Sequence, residues 1–287
     1  MNLKIEKNKL YLITGGTGFL GTALCERLLE HGAKVRVLAR NEGLLILLKQ
    51  QYNDIEILTG DISDKYEVRQ AMQGVDGVFH LAASKHVGLA EIQVRECIKT
   101  NTIGSMNILE ESLHVNPAFV LSISTDKAAQ VSGVYGATKM LMEKLHEQFA
   151  KINPNTAYRI VRYGNVLYST GSVLCKWKEL LNRNQEVVVT DGEATRFFWT
   201  VEQALDLIEN CMYEAIDTKP YCPDMKSMKI NDLLQAMAKK YLPPNCELKI
   251  KEIGLQSGEN LHEKILENGK YSNEVERFTI EEILELI

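Results

Sequence analysis

Leu10-Tyr-Leu-Ile-Thr14 is a short apolar run that feeds into Gly15-Gly-Thr-Gly-Phe-Leu-Gly21, and beyond it Ala23, Leu24, Leu28 and Leu29 keep helical spacing until His31-Gly32. Strand, glycine-rich turn and helix follow one another directly. The turn fits G-x-G-x-x-G from Gly16 and T-G-x-x-G-x-x-G from Thr14. With no Cβ in the way, the backbone around Gly15, Thr17, Gly18, Phe19 and Leu20 can approach a pyrophosphate at a helix start. A glycine fingerprint alone is weak. Its place between a strand and a helix favours a dinucleotide site over a bare structural turn.

Strands and helices continue to alternate. Val35-Arg-Val-Leu38 predicts a second strand, and Ala39-Arg40-Asn41 stands where a ribose would be met; Arg40 can pair with a 2′-phosphate, which favours NADP over NAD. Ile55–Thr59 predicts a third strand ending at Gly60-Asp61-Ile62, where Asp61 either accepts from an adenine amino group or caps the next helix. Gly77–Ala83 predicts a fourth, whose small terminal Ala82 and Ala83 let a cofactor lie close and whose His80 reads as a core histidine. One long helix is expected from about Leu89 to Leu113, with Asn101 unfavourably placed in its middle. Phe119–Ile123 and Ala157–Arg162 predict the fifth and sixth strands.

The pattern implies an α/β fold: a doubly wound parallel Rossmann sheet with a smaller C-terminal α/β substrate lobe. The expected division is 1–166 for the dinucleotide-binding domain, completed by about 196–217, with 167–195 and 218–287 forming the lobe.

Composition excludes other classes. A net charge of -5 gives no basic field for nucleic acid, and no apolar run approaches the ~18 residues of a membrane span. The greasiest segment, Gly43 to Leu48, is expected to be a helix packed on the sheet. Six scattered cysteines without C-x-x-C and a charged opening stretch suggest a reducing cytoplasm, and no metal is expected.

Chemistry concentrates in Ser122-Ile-Ser-Thr-Asp-Lys-Ala and Tyr135-Gly-Ala-Thr-Lys139. Thr125, Asp126 and Lys127 fall at a strand's carboxyl edge. Tyr135 and Lys139 lie one helical turn apart, so the lysine is expected to lower the phenol from its ordinary ~10 and let it take a hydroxyl proton beside a nicotinamide, with Thr125 bonding the same substrate oxygen. Asp126 and Lys127 add a second acid/base pair, which simple dehydrogenation does not need and elimination of water does.

Ser124-Thr-Asp-Lys-Ala, Val134-Tyr-Gly-Ala-Thr-Lys, Val161-Arg-Tyr-Gly-Asn-Val-Leu, Thr195-Arg-Phe, Ser227-Met-Lys-Ile and Gly258-Glu-Asn-Leu-His-Glu occur in this order. With them the chain resembles the extended short-chain dehydrogenase/reductase family over nearly its whole length, and within it the inverting UDP-N-acetylglucosamine 4,6-dehydratases. The resemblance implies that Tyr135 takes the C4 hydroxyl proton while hydride passes to NADP, and that Lys127 removes the C5 proton as Asp126 protonates the departing C6 hydroxyl. Hydride then returns to C6, and Lys127, where retaining relatives carry Glu, goes with inversion at C5. It further implies that Lys85, His86, Asn165, Arg196 and Glu259 contact the UDP-sugar, that Asn101 belongs to a structural and proton-handling network, and that the protein is a homo-oligomer. Thr170 and Gln256 stand where relatives tend to carry arginines, and the segment between His262 and Tyr271 is shorter. A retaining dehydratase, a UDP-sugar 4-epimerase and a non-catalytic NADP-binding sensor are the alternatives.

Overall fold

A computed structural model describes residues 3–287. Its strands β1 (Leu10–Thr14), β2 (Lys34–Ala39), β3 (Glu56–Thr59), β4 (Gly77–His80), β5 (Phe119–Thr125) and β6 (Ala157–Tyr163) pair in parallel in the order β3-β2-β1-β4-β5-β6. After β3 the chain crosses back past β1 to begin the other half of the sheet. The switch lies between β1 and β4, and there a crevice opens at the carboxyl ends of the strands.

Both faces of such a sheet are covered, so its strands are apolar throughout; every residue of β5 is buried. Tyr11 and Ile13 point to one face, where α1 (Phe19–Glu30) and α2 (Glu42–Gln51) pack; Leu12 points to the other, against α3 (Lys65–Met72). In α2 only Leu45 and Leu48 are buried, whereas Leu44, Ile46 and Leu47 are exposed, so the expected packing of that apolar cluster holds for two of its five side chains.

The single long helix expected from Leu89 to Leu113 is broken. The chain instead forms α4 (Val87–Ile92), α5 (Val94–Ile98), a π-helical turn over Lys99–Gly104 and α6 (Ser105–Val115). Asn101 accounts for the wide turn: its Nδ2 donates to Ser84 O (2.9 Å) and Thr138 Oγ1 (3.1 Å), and its Oδ1 accepts from Ser84 N (2.7 Å). An amide that serves three partners outside its helix draws the backbone toward them, as π-bulges commonly do near sites. β4 also stops at His80, earlier than expected, and Leu81 to His86 run on outside the ladder. His80 itself is a core residue, bonded to Thr14 Oγ1 (2.7 Å) and Ser105 Oγ (2.9 Å).

α7 (Val134–Ile152) completes the second face. Beyond β6 come β7 (Asn165–Val166), α8 (Val173–Asn182), β8 (Val187–Val189), β9 (Thr195–Arg196), β10 (Phe198–Trp199) and α9 (Val201–Glu214). These are followed by β11 (Met228–Lys229), α10 (Ile230–Tyr241), β12 (Ile250–Glu252) and α11 (Ile280–Leu286). A Thr200/Gln203 capping box starts α9, whose apolar face joins the α1 side of the sheet. Leu174, Trp177, Leu181, Leu233, Met237 and Ile283 form a separate core from α8, α10 and α11. Among the described residues no helix is long and apolar enough to cross a membrane.

Candidate active site

A cleft of about 920 Å³ runs along the carboxyl ends of the strands. All of the residues singled out for cofactor, substrate and chemistry line it, from Gly15 and Arg40 at one end to Arg196 and Glu259 at the other.

The end expected to take the cofactor is shaped by close backbone packing. Gly15 has φ +72, and a Cβ there would lie 2.9 Å from the Ala82 backbone; a Cβ on Gly21 would come within 2.5 Å of Gly15 O. Gly18 precedes α1 without a side-chain cap, which leaves the first amides of a twelve-residue helix for an anion. At the next strand ends, Asp61 Oδ1 accepts from Ser63 N (2.9 Å) and Ser63 Oγ (2.8 Å), while its Oδ2 faces Arg40 and Lys99, each at 3.9 Å. Burial works against this carboxylate, but the two Ser63 bonds and the cations hold it below the usual carboxylate range. Asp61 therefore braces its own turn, and the cap of α3 is Asp64.

The residues expected to carry the chemistry lie at the end of β5. Asp126–Ala128 form a single 3₁₀ turn, and Ala129 N donates to Asp126 O. Asp126 is 1 % exposed; its Oδ1 accepts from Thr125 Oγ1 (2.9 Å) and Lys127 Nζ (3.1 Å), and its Oδ2 has no partner. Gly136, on the first turn of α7, lets the helix start lie against this turn, for a Cβ there would collide with the Lys127 carbonyl oxygen. Burial opposes the Lys127 ammonium, yet Asp126 and Glu263 outweigh it and raise its pKa above the ordinary lysine value.

Tyr135 and Lys139 depart from the expected division of labour. Burial pushes the Tyr135 phenol up to about 12, and the groups that act against burial are the Lys127 ammonium and the Thr125 hydroxyl. Lys139 Nζ instead donates to Ile123 O (2.7 Å), and burial pushes it down to about 8. A carbonyl within β5 has captured the ammonium assigned to Tyr135.

The far end is held by the C-terminal segment. Arg196 Nη1 donates to Thr195 O and Leu261 O, both at 2.9 Å, and Glu259 Oε2 accepts from Gln256 N (3.1 Å). Lys85 Nζ donates to Thr170 O (3.3 Å), and Asn165 N to Phe197 O (2.8 Å). The His86 ring lies against Gly171, where a Cβ would be 3.1 Å from Cε1.

Two groups had no assigned part. Glu263 is 1 % exposed, with Oε1 3.5 Å from Lys127 Nζ and 3.9 Å from Arg196 Nε. Its one signal was its place as the last letter of Gly258-Glu-Asn-Leu-His-Glu. Arg162, also 1 % exposed, bonds both oxygens of Glu143 and of Glu267 and the Ile265 carbonyl (2.9 Å), fastening the segment that carries Glu263 to β6 and α7.

Residues 11–284 match the family described as polysaccharide biosynthesis protein. The chain belongs to that family. One family relative, a UDP-N-acetylglucosamine 4,6-dehydratase (inverting) of Campylobacter jejuni, is 36% identical over 89% of this chain and 76% of its own. A UDP-glucose 4-epimerase of Rickettsia bellii is 31% identical over 90% of this chain and 78% of its own. Among solved structures, Pen from Bacillus thuringiensis superposes with a TM-score of 0.86 at 33% identity, covering 91% of this chain and 81% of that one. The family profile takes in both the sheet and the C-terminal elements, so the Asp126-Lys127 turn and the segment around Glu263 fall within one family unit.

Proposed function

We propose that the protein is an enzyme that dehydrates UDP-N-acetylglucosamine across C4–C6 with NADP and inverts C5, giving a UDP-linked 2-acetamido-2,6-dideoxy-β-L-arabino-hexos-4-ulose. The observation that carries this reading is the buried Asp126–Lys127 pair, 3.1 Å apart and in the same cleft as Tyr135. A 4-epimerase needs only proton and hydride traffic at C4; an acid and a base beside it suit elimination at C5 and C6.

The residues present fit a dinucleotide: the Gly15–Gly21 turn and the uncapped start of α1 would hold the pyrophosphate, and Arg40 would meet a 2′-phosphate. Bound there, the nicotinamide would supply a hydride acceptor for C4 and a donor for C6. Arg196, Lys85 and His86 would bind the nucleotide sugar, with residues 167–195 and 218–287 serving as the substrate lobe.

In the resting ion pair the charges are the reverse of what elimination requires. One proton moving from Lys127 Nζ to Asp126 breaks an N–H bond, forms an O–H bond and produces both active forms together. The neutral amine then takes the C5 proton. Asp126 gives its proton to the C6 oxygen, water leaves with the bonding pair, and the ion pair is restored. The proton taken from Lys127 lands on Asp126 Oδ1, the oxygen that faces Lys127 and Thr125, and from Oδ1 it would pass to the C6 oxygen.

Incubation with UDP-N-acetylglucosamine and NADP in heavy water is expected to give a 4-keto-6-deoxy product with deuterium at C5 and L configuration, read by NMR. A product of D configuration, or a C4 epimer without C5 exchange, would remove the inverting assignment.

A further inference from the structure

A buried carboxylate oxygen without a hydrogen bond is costly unless charge compensates it. Glu263 Oε1 is such an atom, and the charges near it are the Lys127 ammonium at 3.5 Å and the Arg196 guanidinium at 3.9 Å. Its other oxygen accepts from Asn260 Nδ2 (3.2 Å), and its backbone N–H donates to Ser272 Oγ (2.9 Å), which in turn donates to Thr195 O (3.0 Å). The carboxylate is thus aimed from behind by its own segment. Resting on the dehydratase reading, we infer that Glu263 is a positioning residue that holds the Lys127 ammonium beside Asp126 and links it to Arg196, the side chain assigned to the nucleotide sugar.

The charged and titratable groups facing Lys127 come from four elements: Asp126 from its own turn, Tyr135 from α7, Arg196 from β9 and Glu263 from the C-terminal segment. Asp126 must exchange a proton with Lys127 in each cycle, so it cannot serve as a constant counter-ion. Glu263 can. When Lys127 takes the C5 proton, a positive charge forms in a buried place where this carboxylate already stands.

The test reads the amine directly. Pulse labelling of the intact protein with acetic anhydride, followed by peptide mass spectrometry, reports the fraction of Lys127 that is neutral at each pH and needs no substrate. In Glu263→Gln, Lys127 is expected to be labelled at lower pH than in the parent, with roughly tenfold or more reactive amine at a given pH, the effect of losing one opposite charge within ~4–6 Å. Glu263→Asp, which keeps the charge, should move the labelling back toward the parent curve. In the heavy-water assay, the high-pH limb of C5 exchange should shift to lower pH in Glu263→Gln. Superimposable labelling curves in parent, Gln and Asp variants would overturn the inference, even if turnover fell. A parent whose Lys127 labelling responds to Glu263 but which makes no 4-keto-6-deoxy sugar would instead overturn the dehydratase reading.

Discussion

Arg40 shows how much one side chain can be asked to decide. It is largely exposed and its nearest carboxylate, Asp61, is 3.9 Å away, so no strong pair ties it down. A 2′-phosphate would give it a charge-assisted bond of about 1.5–3 kcal/mol. Titrating Arg40→Ala with NADP and with NAD should therefore show a roughly tenfold or greater loss for NADP alone; equal losses would make Arg40 a surface residue without a role in cofactor choice. The positions of Arg40, Asp126, Lys127 and Tyr135 were legible because strand ends and helical spacing place them without reference to distant chain. Glu263 was not. Its partner Lys127 is far off in sequence, and burial of a carboxylate beside a lysine leaves no periodic mark. The same holds for Lys139, whose position was clear while its capture by Ile123 O depended on how α7 packs beside β5.

Between elements, contact distance matters more than residue type. The start of α7 rests on the Asp126–Ala128 turn at Gly136, where a methyl group would meet the Lys127 carbonyl. Gly136→Ala must push helix and turn apart, at a cost of about 1–3 kcal/mol for an overpacked contact. A lowered denaturation midpoint together with slowed C5 exchange is expected, and a variant matching the parent in both would show that the turn has slack. The six strands were legible from apolar runs and their terminators. The helix after β4 was not: its periodicity continues through Asn101, and only three tertiary hydrogen bonds reveal why the backbone widens there.

Across the whole molecule, buried histidines make stability sensitive to acid. His146 lies under the sheet with Nδ1 on Met142 O, and burial pushes it down to about 4; burial likewise lowers His80. Because the folded pKa is below the unfolded ~6.5, the unfolded chain binds protons first, and stability falls as pH drops from about 6.5 toward 4. Between pH 7 and pH 5 the parent should lose roughly 2 kcal/mol more than His146→Asn in urea denaturation, with His80 common to both. Equal losses would place the acid sensitivity elsewhere.

The Arg162 clamp has a consequence in time. Ile265 and Glu267 are 103 and 105 residues downstream of the arginine that seizes them, so during synthesis the whole sheet leaves the ribosome well before they do. Until they arrive, a nascent chain can display the crevice at the strand ends while Arg162 and Glu143 hold each other as a waiting latch. The segment that brings Glu263 to Lys127 docks late, so by this order the crevice takes its shape before Lys127 gains its second carboxylate neighbour.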